Sequence, residues 1–191
     1  MKSTRQYVSP TRCAQTQQTR ERLLSSVAEW LQQEPIAPFT LEAIAKGAGV
    51  DRRTAYRHFP SKEALLQEFW QWINDRLGSN VFPKTTHELI EAPLKTFASF
   101  DDYEGVIRAS IHPPAGRGMR ANTIPERRRA LRDALPIDAD PRLEAIAHLL
   151  YSAAAWETMR DYAGLSGREA GEAASWALDV LIHHFHENTG D

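Results

Sequence analysis

The 191-residue sequence predicts an all-α protein with a small N-terminal helix-turn-helix head and a larger helical body. Apolar residues recur at three- and four-residue steps along most of the chain, the period of an amphipathic helix. Nothing reads as a strand run bounded by hairpin turns. Residues 40–66, TLEAIAKGAGVDRRTAYRHFPSKEALL, set two short apolar-faced helices around a glycine, with a further helix following at once.

Residues 1–18 are polar and without periodicity, so they are expected to form a mostly disordered arm. Its bases Lys2, Arg5 and Arg12 either follow a DNA groove or belong to a solvated tail. From Thr19 the pattern turns helical through Leu23, Leu24, Val27, Trp30 and Leu31, and Pro35 and Pro38 stop it. Thr40 suits the N-cap of a second helix bearing Leu41, Ile44, Ala45 and Ala48. Gly49 stands where a left-handed residue closes that helix. Asp51 caps a third helix, which Pro60 ends, and Ser61 caps a fourth that runs to Leu77.

Beyond the Gly78–Asn80 break, Thr86–Ala98 is expected to be helical, with Pro93 kinking it unless it lies near the start. Tyr103–His112 is a second body helix, and Pro113–Arg120 reads as an irregular loop rich in Pro and Gly. Pro125–Leu135 is a third, with Pro125 in its first turn. Two long helices, Pro141–Ala163 and Arg168–His186, close the chain.

Composition narrows the function. No run of about 18 apolar residues suits a membrane span, and no signal-peptide stretch opens the chain, so a cytoplasmic protein is expected. Cys13 is the only cysteine, which rules out an internal disulfide and a zinc finger and fits a reducing compartment. The net charge of −2 argues against an indiscriminate nucleic-acid binder, but the charge is uneven. Residues 1–62 carry ten Lys/Arg against five acids, and the remainder thirteen against twenty. A basic front and an acidic back suggest that only the front approaches phosphate. The sequence shows no nucleotide glycine loop, nucleophile elbow or metal-ligand pair with ordered helpers, so no enzyme and no cofactor is expected.

Within the head, Ile44, Ala45, Ala48, Val50 and Phe59 form the expected apolar seam, leaving Arg52, Arg53, Thr54, Arg57 and His58 on the outer side of the third helix. Arginines in a first turn oppose the helix dipole, which makes sense if they await an anion. Arginine reads guanine O6 and N7 in a bidentate way. Thr54, Tyr56, His58 and Lys62 suit phosphate contacts, which fix register.

Thr40, Ile44-Ala45, Ala48-Gly49-Val50, Thr54, Tyr56-Arg57-His58-Phe59-Pro60, Ser61-Lys62-Glu63 and Leu65-Leu66 together resemble the TetR family of transcriptional regulators. The likeness covers residues 19–66; the closing helices fit the family by layout only. Ala55 departs from the pattern, which more often has a larger apolar residue before the tyrosine. The resemblance implies a DNA-binding domain over 19–62 and a regulatory, ligand-binding and dimerisation domain over 63–191. It also implies a homodimer on an inverted-repeat operator, usually as a repressor, released by a small-molecule effector and associated with the nucleoid when bound. The DNA-contacting set is then Thr40, Arg52, Arg53, Thr54, Tyr56, Arg57, His58 and Lys62. A helical small-molecule-binding module without DNA-binding activity is the alternative.

Candidates for the effector pocket are Trp70, Phe97, Phe100, Tyr103, Met119, Tyr151 and Trp156, since aromatic and sulfur surfaces suit an apolar ligand; ordinary core packing is the competing reading of each. His112 and Arg160 are possible polar contacts to it. For the dimer surface the candidates are Ala153, Ala170, Ala174, Trp176, Ala177, Leu181 and Phe185. His183, His184 and His186 read as a solvated helix end rather than a metal site, and Arg127-Arg128-Arg129 as an exposed helix face or a second basic patch.

Overall fold

The computed structural model describes residues 10–78, 81–112 and 116–189, and every regular element among them is helical. The head consists of α1 (Pro10–Gln33), α2 (Leu41–Gly47) and α3 (Arg52–His58); α4 (Lys62–Leu77) leads into the body. The body continues with α5 (Thr86–Phe100), a 3-10 turn at Asp101–Tyr103, α6 (Glu104–Ile111), α7 (Gly116–Ala134), α8 (Pro141–Leu150), α9 (Ala153–Ala163) and α10 (Gly167–Thr189).

Most boundaries are set by the local chemistry of caps. Thr40, Asp51, Ser61, Thr85 and Asp140 each accept a backbone N–H from the first turn that follows. Gly78 and Gly164 close α4 and α9 in the left-handed conformation. Ser166 and Glu169 form a reciprocal capping box at the start of α10.

Four expectations are corrected. The first helix starts at Pro10, so residues 10–18 extend α1 and are not disordered; exposed Ala and Gln residues continue a helix at little cost. Residues 1–9, with Lys2 and Arg5 of the expected arm, lie outside the described residues. Helix α7 begins at Gly116, which removes most of the expected loop and leaves Pro125 in the helix interior. Pro93 also sits mid-helix, buried in α5. The expected helix Pro141–Ala163 is two helices: Tyr151 ends α8, and the Ser152 hydroxyl starts α9 by accepting from Ala155 N at 3.2 Å.

Helix α5 survives its proline because α10 supports it along its length. A Cβ at Gly171 would fall 2.7 Å from the Pro93 carbonyl oxygen, so the two backbones nearly touch. Ala170 and Ala174 continue the same small-residue stripe and are fully buried. Head and body share a core: Leu23, Val27, Ile44, Phe59, Phe69 and Ile73 pack in one cluster with Val106 and Ala109 of α6. At that junction α6 starts against the end of α1. Gln32 accepts from Gly105 N at 3.0 Å and donates to the Asp102 carbonyl at 3.3 Å. A Cβ at Gly105 would lie 2.7 Å from the Gln32 carbonyl oxygen.

Candidate nucleic-acid interface and body cavity

The third helix is held from beneath and bare on top. Ala55 is completely buried, and its small size lets α3 sit close on α1 and α2. Phe59 locks the helix end under the Arg20 guanidinium, 4.8 Å from the ring centroid. Behind the turn, Arg22 Nη2 donates to the Ala48 and Gly49 carbonyls at 2.5 and 3.0 Å, and the Ser26 hydroxyl donates to the Ile44 carbonyl at 3.0 Å. Arg22 and Ser26 hold the turn before the third helix and were not singled out from the sequence; both look like ordinary residues of α1.

The outer face carries Arg52, Arg53, Tyr56 and Arg57, all exposed, with Thr54 and His58 half-buried at its edges. Asp51 Oδ1 accepts from Arg53 N and Thr54 N at 2.9 and 3.4 Å, fixing where the arginines start. Three of the expected contact residues already have partners within the chain. Glu42 accepts from the Tyr56 hydroxyl at 2.7 Å and pairs with Arg52 at 3.1 Å. The Tyr56 hydrogen bond, more than Arg52, holds the Glu42 carboxyl below its usual range and raises the Tyr56 phenol. Lys62 Nζ lies 4.5 Å from the Phe39 ring centroid. Arg53 and Arg57 have no ion pair among the described residues and are the cations most available to an incoming anion. Thr40 contributes as the cap of α2. Burial, with Arg57 and Arg20 adding to it, pushes the His58 imidazole below 6.5.

In the body, a cavity of about 160 Å³ opens between α4, α5, α6, α7 and the α8–α9 junction. Trp70, Phe100 and Tyr151 line it, as does Ala153, which was expected at a dimer surface. Phe97 and Trp156 are core residues, with Trp156 packed edge-on against Phe100, and half-buried Tyr103 packs against the same cluster. The Met119 side chain lies outside the described residues. His112 and Arg160 do not reach the cavity. They belong to an ion network on the α6–α9 flank, where Arg108 pairs with Glu104, Glu157 and Asp161, Arg160 with Asp101 and Glu104, and His112 with Glu157.

Arg127 is the residue that the sequence placed wrongly. It belongs neither to an exposed face nor to a basic patch, because it turns inward and lines the cavity while Arg128 and Arg129 stay exposed. Three successive helical residues fan through about 200° at about 100° per residue, so a helix packed on one side must aim one of them inward.

The expected dimer residues also divide. Ala170 and Ala174 are consumed by α5 within the chain, and Phe185 packs half-buried against the body core. Trp176 is 70% exposed, and Leu181 is exposed with it, beside half-buried Ala177. Ile146 and Leu149 of α8 and Val180 of α10 add exposed apolar surface. His183 and His184 are exposed at the end of α10, and the His186 side chain lies outside the described residues.

A helix-turn-helix with outward arginines on an all-helical body defines a regulator-like architecture. The N-terminal domain described for bacterial regulatory proteins of the tetR family matches residues 23–69, so the chain carries that domain. Similar proteins include the nucleoid occlusion factor SlmA of Marinomonas sp. (strain MWYL1), 34% identical over 62 residues, which are 32% of each chain. The HTH-type transcriptional regulator EthR of Mycobacterium tuberculosis (strain H37Rv) is 43% identical over 44 residues, 23% of this chain and 20% of that protein. The HTH-type transcriptional regulator AcrR of Shigella flexneri is 33% identical over 64 residues, 34% and 30% of the two. The chain thus spans about a third or less of the length of these relatives. The fold resembles that of a TetR transcriptional regulator from Rhodococcus sp. RHA1, with a TM-score of 0.53 at 20% identity, covering 87% of this chain and 97% of that one.

Proposed function

We propose that the protein is a homodimeric transcriptional regulator that binds an inverted-repeat operator and is released from it, as a repressor, by a small molecule held in the body. The observation that carries this reading is the third helix itself: its inner side is locked by Ala55 and Phe59, while Arg53 and Arg57 stand exposed with no ion pair among the described residues. A helix presented in that way enters the major groove, with arginines on base edges and the surrounding polar groups on phosphate. Two-fold pairing supplies a second helix to the next half-site. Trp176, Val180, Ile146 and Leu149 offer the apolar surface for that pairing.

The cavity adjoins α4, which runs from the head's Ser61 cap to Leu77, so a guest that shifts α4 alters how the head is carried. A change of a few ångströms in the spacing of paired heads then decides operator affinity. Selection of genomic fragments by purified protein, followed by gel shift of the recovered sequence at moderate salt, tests the reading. An enriched two-fold symmetric motif is the expected result. Recovery of no motif, with only salt-sensitive binding to any duplex, would leave a helical module that does not read DNA.

A further inference from the structure

Buried donors seldom lack acceptors, because an N–H stripped of water gains nothing in return. Two such donors come from residues that line the same cavity. Trp70 Nε1 and Arg127 Nε are both buried without a hydrogen-bond partner. Arg127 also brings a full charge, since arginine stays protonated in proteins. Its Nη2 donates to the His148 carbonyl at 2.8 Å, and its guanidinium carbon lies 5.2 Å from the Tyr151 ring centroid.

These are a neutral acceptor and a ring face, and among the described residues no carboxylate lines the cavity. Glu144, one turn before His148, is paired with Arg132 at 3.1 Å. Burial pushes the Arg127 pKa down, as expected for a cation with no counter-ion among the described residues. The other walls are largely apolar, from Ile73, Phe100, Val106 and Ile107. A cavity of about 150 Å³ accommodates a guest the size of benzene, so this one suits a single ring or a short alkyl chain.

We propose that the cavity binds a small amphipathic carboxylate, its anionic end accepting from Arg127, a second acceptor facing Trp70 and its apolar body against the α4–α6 walls. The proposal rests on reading the cavity as the effector site and names the chemical class of the effector. An anion there pairs a charge that has no ion pair among the described residues, whereas a neutral guest of the same shape does not.

Calorimetric titration of the full chain without DNA tests it, using phenylacetate against phenylacetamide and hexanoate against hexanamide. The expected result is a preference of about tenfold or more for each carboxylate over its amide, the difference between a charged and a neutral acceptor. Arg127→Gln is expected to abolish that preference, Arg127→Lys to keep part of it, and Trp70→Phe to weaken carboxylate binding while retaining the packing. If Arg127→Gln melts early, the Lys and Phe variants carry the comparison. Equal affinity for acid and amide, survival of the preference in Arg127→Gln, or no binding of any probe would each overturn the proposal. Titration of the protein–operator complex with the carboxylate that binds separates this proposal from the regulatory one. Carboxylate binding with unchanged operator affinity keeps the anion site and removes its role as the effector switch.

Discussion

The head and the body place their functional groups in opposite ways. In the head, the third helix is seven residues long, and its arginines stand outside a core built mostly from the neighbouring head helices and α4. In the body, the cavity is assembled from residues between Trp70 and Ala153, and Arg127, the one cation among its described lining residues, points inward. Exposed charges are cheap to keep and screened by salt, so they suit a partner that arrives with many phosphates. A buried charge is costly unless paired, so it suits a single guest that brings the missing partner.

The junction between the two regions offers the strongest way to break this contrast. Gly105→Val pushes a branched side chain into the α1 backbone at Leu31 and Gln32. Overpacking of this kind costs about 3 kcal/mol, and because the head core includes Val106 and Ala109, head and body should lose stability together. Thermal melts followed separately by Trp fluorescence and by operator binding check this; two separated transitions would mean that the head folds independently.

Trp176→Glu should weaken self-association by about 2 kcal/mol or more, the scale of an interface anchor, while the monomer keeps its fold because Trp176 contributes little to the core. Sedimentation at several concentrations reads it, and an unchanged dimer would move the interface elsewhere. Arg53→Ala should cost about 1–3 kcal/mol of operator binding and relax base preference at one position, leaving the melt unchanged because Arg53 is exposed. Uniform weakening across all sequences would instead make Arg53 a phosphate contact.

The smallest effect is in pH dependence. His58 in the head and His148 in the body are both lowered below 6.5, by burial first and by neighbouring arginines second, with Glu68 and Glu144 opposing. Their folded pKa values lie below the unfolded ones, so the unfolded chain takes up protons first on acidification. Their contribution to stability is full above about pH 6.5 and is lost as pH falls through the lowered folded values. Melts at roughly pH 7.5 and roughly pH 5.5 should show a smaller acid loss in His58→Gln and in His148→Gln than in the parent. An equal loss in all three would exclude both imidazoles as its source.

The head was legible because its signals are local. A cap, a glycine and a proline fix the boundaries from Thr40 to Ser61 within a few residues, and periodicity alone separates Phe59 from Arg52 and Arg53. The break at Tyr151-Ser152 was not legible, since one serine among alanines and leucines is a weak stop beside strong helix formers. Periodicity showed that Ala170 and Ala174 belong to a contact face, but not whether that face meets α5 or a second copy. The Glu42 bond to Tyr56 and the stacking of Lys62 on Phe39 cross between elements, and neither follows from spacing along one helix.

By itself, then, the chain determined its helical class, the outward third helix and the family resemblance of residues 19–66, because helix caps, turns and apolar periodicity act over a few residues. Only the tertiary structure decided which arginine of the run at 127–129 is swallowed, which alanines are covered and where a cavity remains. Those outcomes depend on how faces from distant parts of the chain pack together, and the same local pattern is compatible with more than one such packing.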